Sequence, residues 1–172
     1  EYISSMPAYL INKTDINLIE LARARSYDDL LRTLRNTRYY SILKKITSDE
    51  KGHVDYLNCE ITLRTYYYDW LISTVKKSTL GADSEELLNL IRTQVDLINI
   101  INGYRMKKYY KLSGAEIEKR LLPVYRKLNA KTKEELFNHE DIEGFLNAFS
   151  KTYYGKKLSL DDHGRFETEI EI

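Results

Sequence analysis

The chain has 172 residues, 42% hydrophobic and 31% charged, with 27 Lys and Arg against 26 Asp and Glu. The resulting net charge of +1 gives no overall field toward nucleic acid or an anionic membrane. No apolar run reaches the ~18 residues of a membrane span, and a single cysteine, Cys59, excludes an intrachain disulfide and fits a reducing compartment.

Only 2 Pro and 7 Gly interrupt the chain, so long helices are expected. Tyr is abundant, 15 against 4 Phe and 1 Trp. Such rings suit helix packing surfaces, with the hydroxyl reaching water or a partner, and their simplest role is amphipathic core filling. No signal peptide is expected, and a start at Glu1-Tyr2-Ile3 without an initiator Met reads as an excised piece of a longer protein.

In chain order, the first helix is expected over residues 15–24, after Thr14-Asp15. A second starts at Ser26, with Asp29 three positions on as a weak capping box, and runs to about Asn36. A short helix follows over Ser41–Ile46, then a polar connection over 48–52. Residues 54–77 read as a long helix, with Leu57, Ile61, Tyr68, Leu71 and Val75 at three- and four-residue steps. Glu60 and Arg64 are spaced to pair on its surface. Asp83 with Glu86 is the expected cap of the next helix.

That helix, about 84–111, is apolar around most of its circumference, which marks it as buried. A narrow polar stripe remains: Arg92, Asp96, Asn99 and Gly103. Buried polar groups left unpaired cost about 1–3 kcal/mol each, so the stripe needs partners. We expect Arg92, Asp96, Asn99 and Arg105 to knit this helix to its neighbours. Arg105 and Lys107-Lys108 also place cations at its C-terminus, where the dipole favours them.

Ser113-x-x-Glu116 opens a further helix as a capping box, ending near Leu122-Pro123. Thr132-x-x-Glu135 is expected to open another, and Asp141 the helix through Phe149. A turn is expected over Leu158–His163, and a last helix begins at Phe166.

One pattern occurs twice. Leu21, Tyr27, Leu30-Leu31, Leu34 and Thr37-x-Tyr39 match Leu136, Ile142, Phe145-Leu146, Phe149 and Thr152-x-Tyr154 at one offset, as from Thr37 to Thr152. A repeat this long points to stacked helical units. Residues 1–114 then form one complete unit, and residues 115–172 the first part of a second that stops short. Phe166, Ile170 and Ile172 are apolar residues that further helices would cover.

Sites for chemistry are not visible. There is no GxxxxGK[ST] or GxGxxG phosphate loop, and His53, His139 and His163 lack zinc spacing. His139-Glu140-Asp141 reads as a solvated helix cap. Asp161-Asp162-His163-Gly164 lacks EF-hand spacing. No Ser or Cys is paired with a base. No catalytic residue, metal site or cofactor is therefore expected. Four Lys doublets, at 44–45, 76–77, 107–108 and 156–157, read as solvated helix ends.

Three stretches together resemble a known family. Asp96-x-x-Asn99-Ile100 followed by Arg105-x-Lys107 resembles the signature of the C/d (AC39) family of V-type ATPase subunits. Leu30-Leu31-x-x-Leu34-x-x-Thr37-x-Tyr39 resembles the element before that family's long helices, and Glu60 matches its usual Glu. Leu121-Leu122-Pro123 and the second Thr-x-Tyr copy then resemble the start of the next unit. The resemblance covers most of the chain in the family's order.

It implies an all-α fold, part of a funnel-shaped protein of three related units. It also implies a non-catalytic rotor subunit that couples the central stalk to the membrane rotor ring, for H⁺ or Na⁺ transport. The partners would be the central-stalk subunits and the ring, with the protein peripheral to the membrane on its cytoplasmic face. Arg92, Asp96, Asn99, Arg105, Lys107 and Glu60 would be the structural or partner-contact residues. A helical-repeat interaction scaffold is the alternative, followed by an RNA-binding module that uses the Lys doublets and Tyr rings.

Overall fold

The computed structural model describes residues 13–46, 53–79 and 81–167. Apart from one two-residue ladder the described residues are all-α. The elements are α1 (Leu18–Arg23), α2 (Tyr27–Thr33), α3 (Arg38–Leu43), α4 (Tyr56–Ser78), α5 (Ala82–Tyr110), α6 (Gly114–Glu118), α7 (Ala130–Phe137) and α8 (Ile142–Lys151). β1 (Ser159–Leu160) and β2 (Phe166–Glu167) form an antiparallel pair. The chain divides into two compact units, Glu1–Leu63 and Arg64–Ile172. The division falls within α4.

In the first unit, side-chain caps set the helix starts. Asn17 accepts from the Glu20 N–H at 3.1 Å, and Ser26 from the Asp29 N–H at 3.1 Å. The Asp29 carboxylate accepts from the Arg25 N–H at 3.4 Å. The unit's core is Leu34, Leu43 and Cys59, with Tyr27, Leu30 and Leu31 packed on it. The Tyr27 hydroxyl donates to the Leu43 carbonyl at 2.8 Å and accepts from the Cys59 thiol at 3.7 Å. Burial, then the Cys59 contact, holds this phenol well above its ordinary pKa.

In the second unit α5 is the central element. Its N-terminal half packs Leu88, Ile91 and Val95 against Tyr68 and Val75 of α4. Its C-terminal half packs Ile100 and Tyr104 against Ile117, Leu136, Phe137 and Phe145 of α6, α7 and α8. Each large apolar side chain buried there contributes about 1.5–3 kcal/mol.

Several expected boundaries shift for identifiable reasons. The third helix begins at Arg38, not Ser41, because Thr37 in extended geometry ends the turn after α2. Asp83 does not cap α5: Gly81, at φ 71°, precedes a start at Ala82, and Asp83 and Glu85 sit in the first turn. α7 opens before Thr132, at Ala130, because the Asn129 side chain accepts from the Thr132 N–H at 3.0 Å. The capping box at Ser113 and Glu116 forms as expected, and Asp141 caps α8 through the Gly144 N–H at 2.7 Å.

The helix expected from Phe166 does not begin there, since Phe166–Glu167 is strand β2. Asp161 accepts from the N–H groups of His163 at 2.8 Å and Arg165 at 2.7 Å, and Gly164 takes φ 69°. The chain therefore turns back on β1 instead of entering a helix. Hydrogen bonds to Arg165 hold the Asp161 carboxyl below its usual range. Ile170 and Ile172, expected as exposed apolar residues, lie outside the described residues.

Candidate functional site

The polar stripe of α5 is the most organised chemical feature of the second unit. Asp96, Asn99 and Lys107 are 0%, 1% and 4% exposed. All three lie on a helix whose other inward positions are apolar, so each needs a partner from another segment.

Asp96 finds its partners in the loop before α7. Its Oδ2 accepts from the backbone N–H of Arg126 at 3.1 Å, Lys127 at 2.6 Å and Leu128 at 3.1 Å. The same oxygen accepts from the Tyr154 hydroxyl at 2.7 Å. Oδ1 shares the Arg126 N–H at 3.2 Å. A carboxylate suits this place because it is acceptor-only and can meet several donors at once. Burial, then the bond to Asp96, pushes the Tyr154 phenol above its ordinary 10.0.

Asn99 lies one turn on and clasps a single residue from both sides. Its Oδ1 accepts from the Leu122 N–H at 2.9 Å, and its amide donates to the Leu122 carbonyl at 2.9 Å. Asp96 and Asn99 together thus fix the loop from Leu122 to Leu128 onto α5.

Gly103 continues the stripe without a polar group. A side chain there would collide with the buried ring of Phe137, so glycine lets α7 approach α5. Lys107 follows one turn later, and its ammonium donates to the His139 carbonyl between α7 and α8. Burial draws the Lys107 pKa below its ordinary 10.5, and the Asp141 charge opposes that shift.

The sequence-derived candidates separate on this geometry. Asp96, Asn99 and Lys107 are brought into one seam. Arg92 is half-buried one turn before Asp96 and takes no part in the carboxylate's bonds among the described residues. Arg105 is exposed beside Gly164, and Glu60 is exposed on α4 in the first unit. Sequence reasoning missed Tyr154 as the carboxylate's side-chain donor. The only signal for it was the second Thr-x-Tyr. The donors at 126–128 are backbone groups and leave no mark in the sequence.

The two Thr-x-Tyr copies close their helices alike. The Thr37 hydroxyl donates to the Leu34 carbonyl at 2.8 Å, and the Thr152 hydroxyl to the Phe149 carbonyl at 2.7 Å. In both, the Thr N–H donates to that same carbonyl, at 2.8 and 2.9 Å. Asp161 and Asp162 are engaged in the hairpin, where Lys108 pairs with Asp162 at 3.7 Å. No cluster of metal-ligating side chains occurs among the described residues.

The family model described as ATP synthase (C/AC39) subunit matches residues 3–171. The chain belongs to this family. Within the AC39 family it is similar to the C subunit of the A-type ATP synthase of Methanosarcina mazei, 25% identical over 146 residues, covering 85% of this chain and 38% of that protein. It is also similar to the corresponding protein of Methanosphaera stadtmanae, 29% identical over 145 residues, covering 84% of this chain and 36% of that one. The same-named protein of Methanocaldococcus jannaschii is 28% identical over 152 residues, covering 83% and 35%. The chain therefore spans little more than a third of the length of the curated relatives it matches. No solved structure matches it significantly. No helix among the described residues of this AC39 chain is long and apolar enough to cross a membrane.

Proposed function

We propose that this chain is a segment of a non-catalytic rotor subunit of an A/V-type ATP synthase or ATPase, which couples the central stalk to the membrane rotor ring. The observation that carries the reading is the AC39 family match across residues 3–171. The relatives are named as C subunits of A-type ATP synthases, which supports a place in such a complex. In this reading the partners are the stalk subunits and the ring, the chain lies on the cytoplasmic face of the membrane, and H⁺ or Na⁺ is carried by the ring. The chain itself performs no catalytic step.

A coupling subunit must carry torque without shearing, and densely packed interiors deform little. The α5 seam suits that task. It ties loop 122–128 and the end of α7 to one helix through hydrogen bonds, most of them made by short side chains. We assign Asp96, Asn99 and Lys107 to this internal stiffening, with Arg92 beside them. Arg105 and Glu60, both exposed, are the candidates for partner contact. Residues 1–114 are one unit of the repeat, and residues 115–172 begin the next.

The test is an affinity tag on the full-length protein at its native locus, followed by purification from detergent-solubilised membranes. Stalk and ring subunits should co-purify in fixed proportion. Recovery of an intact ATPase through another subunit's tag, with this protein missing from it, would overturn the reading.

A further inference from the structure

The two copies of the repeat differ in how well they are covered. In the second copy Leu136, Phe145 and Tyr154 are 0%, 0% and 5% exposed. The cover comes from α5. Leu136 and Phe145 share a core with Ile100 and Tyr104, the Tyr104 and Phe145 rings lie 5.7 Å apart, and Asp96 accepts from the Tyr154 hydroxyl. The matching residues of the first copy are Leu21, Leu30 and Tyr39, and these are only half-buried. Helices α7 and α8 each contain fully buried residues, whereas α1 and α2 contain none.

The framework of the two copies is otherwise alike. Ser26 and Asp141 cap α2 and α8 through the N–H three residues on, at 3.1 and 2.7 Å. Thr37 and Thr152 close the same helices with the same pair of bonds. In sequence, Met6-Pro7-Ala8-Tyr9 also echoes Leu122-Pro123-Val124-Tyr125, one position off the common offset. Leu122 begins the loop that Asn99 and Asp96 hold on α5. The long helix of the first unit, α4, meets this copy through Cys59 at Leu34 and Leu43, and Leu21, Leu30 and Tyr39 stay half-covered.

We infer that the face of Leu21, Leu30 and Tyr39 seats a long helix carrying Asp-x-x-Asn, supplied by a segment of the same full-length protein N-terminal to Glu1. The second copy identifies the occupant, because there the same face is filled. Helix α5 precedes the copy it covers, lays Ile100 and Tyr104 on Leu136 and Phe145, and offers Asp96 to Tyr154 and Asn99 to the loop. In a stacked repeat each unit buries its apolar face against a neighbouring unit. The curated relatives, of which this chain spans little more than a third, are long enough to supply that neighbour. The inference rests on the repeat and not on the rotor role.

The test uses purified full-length protein carrying photoreactive p-benzoylphenylalanine in place of Tyr39 or of Leu30. Irradiation is followed by mapping of the cross-links by mass spectrometry. The expected product joins both positions to a segment of the same chain N-terminal to Glu1, within about two helical turns of an Asp-x-x-Asn. Tyr39→Phe alone should lower the melting temperature, and should lower it little further once that Asp is replaced by Ala, because the two groups act as one pair. Cross-links confined to residues 1–172, a cross-linked dimer of two copies, cross-links to another subunit, or no cross-link at all would each overturn the inference. So would a cross-linked segment without Asp-x-x-Asn, or additive losses from the two substitutions. The cross-links are read without stalk or ring present, so this outcome and that of the co-purification are independent.

Discussion

The Tyr154 hydroxyl donates to the Asp96 carboxylate at 2.7 Å, joining the residue that closes the second Thr-x-Tyr to the middle of α5 across 58 positions. The same oxygen holds the backbone of residues 126–128. One buried carboxylate therefore ties together the long helix, the loop before α7 and the segment after α8.

Asp96→Ala strands three backbone donors and a phenol. With each buried unpaired donor costing about 1–3 kcal/mol, and water reaching part of the loop, the expected total is about 3–5 kcal/mol. Tyr154→Phe removes one bond to a charged acceptor and should cost about 1.5–3 kcal/mol. The double variant should lie close to Asp96→Ala alone, because the tyrosine's contribution depends on the carboxylate. Urea denaturation checks this series. An unchanged midpoint for Asp96→Ala would show that the seam does not hold the unit's shape.

Alkaline pH should destabilise the fold through its raised phenols. Tyr154 and Tyr27 keep their protons in the folded state above the ordinary 10.0, whereas the unfolded chain releases them there. Above that pH the folded state binds more protons, so stability falls as pH rises. Below it their contribution is fully present. Denaturation midpoints should fall progressively from about pH 10 upward, and Tyr154→Phe should flatten that decline.

Gly103→Ala tests the close approach of α7 to α5. Helix propensity alone would favour alanine by about 1 kcal/mol. Collision with the fully buried Phe137 ring should outweigh that, giving a net loss of about 1–2 kcal/mol. Adding Phe137→Leu should cost less in the alanine background than in the wild type, since the smaller side chain relieves the clash. Thermal unfolding of the four proteins measures the coupling.

Thr37→Val and Thr152→Val remove the same hydroxyl bond from the two copies of the repeat. Each should cost about 1 kcal/mol. Thr152→Val should cost more, because its hydroxyl also accepts from the Gly155 N–H at 3.0 Å. Hydrogen exchange, read separately at α2 and α8, localises each loss.

Much of the helical layout was legible because its signals are local. The apolar period of α4 and α5 and the caps at Ser26, Ser113 and Asp141 are written within a few residues. The misreadings arose where two local signals competed. Asn129 and Thr132 are both capping residues, three positions apart. Residues 166–172 read as the start of a helix, yet the Asp161 turn and the positive φ of Gly164 commit Phe166–Glu167 to a hairpin.

The candidate seam was half legible. Asp96, Asn99 and Gly103 stand out as a polar stripe running between the apolar rows of α5, and a buried polar group demands a partner. The identity of that partner depends on which distant backbone the fold brings near.

By itself the sequence determined the all-α class, the long helix α5, its polar stripe, the repeated Thr-x-Tyr and the family resemblance; it overstated how much of α5 is buried, since Leu87 and Leu90 are exposed. Each is a matter of residue types at fixed spacings, which helix geometry converts directly into faces and ends. Only the tertiary structure decided that Asp96 would be met by Tyr154 and the amides of 126–128, that Asn99 would clasp Leu122, and that Lys107 would reach the His139 carbonyl. It also separated these three from exposed Arg105 and Glu60. Hydrogen bonds to backbone groups depend on where a chain passes and little on which residues it carries, so no local pattern encodes them.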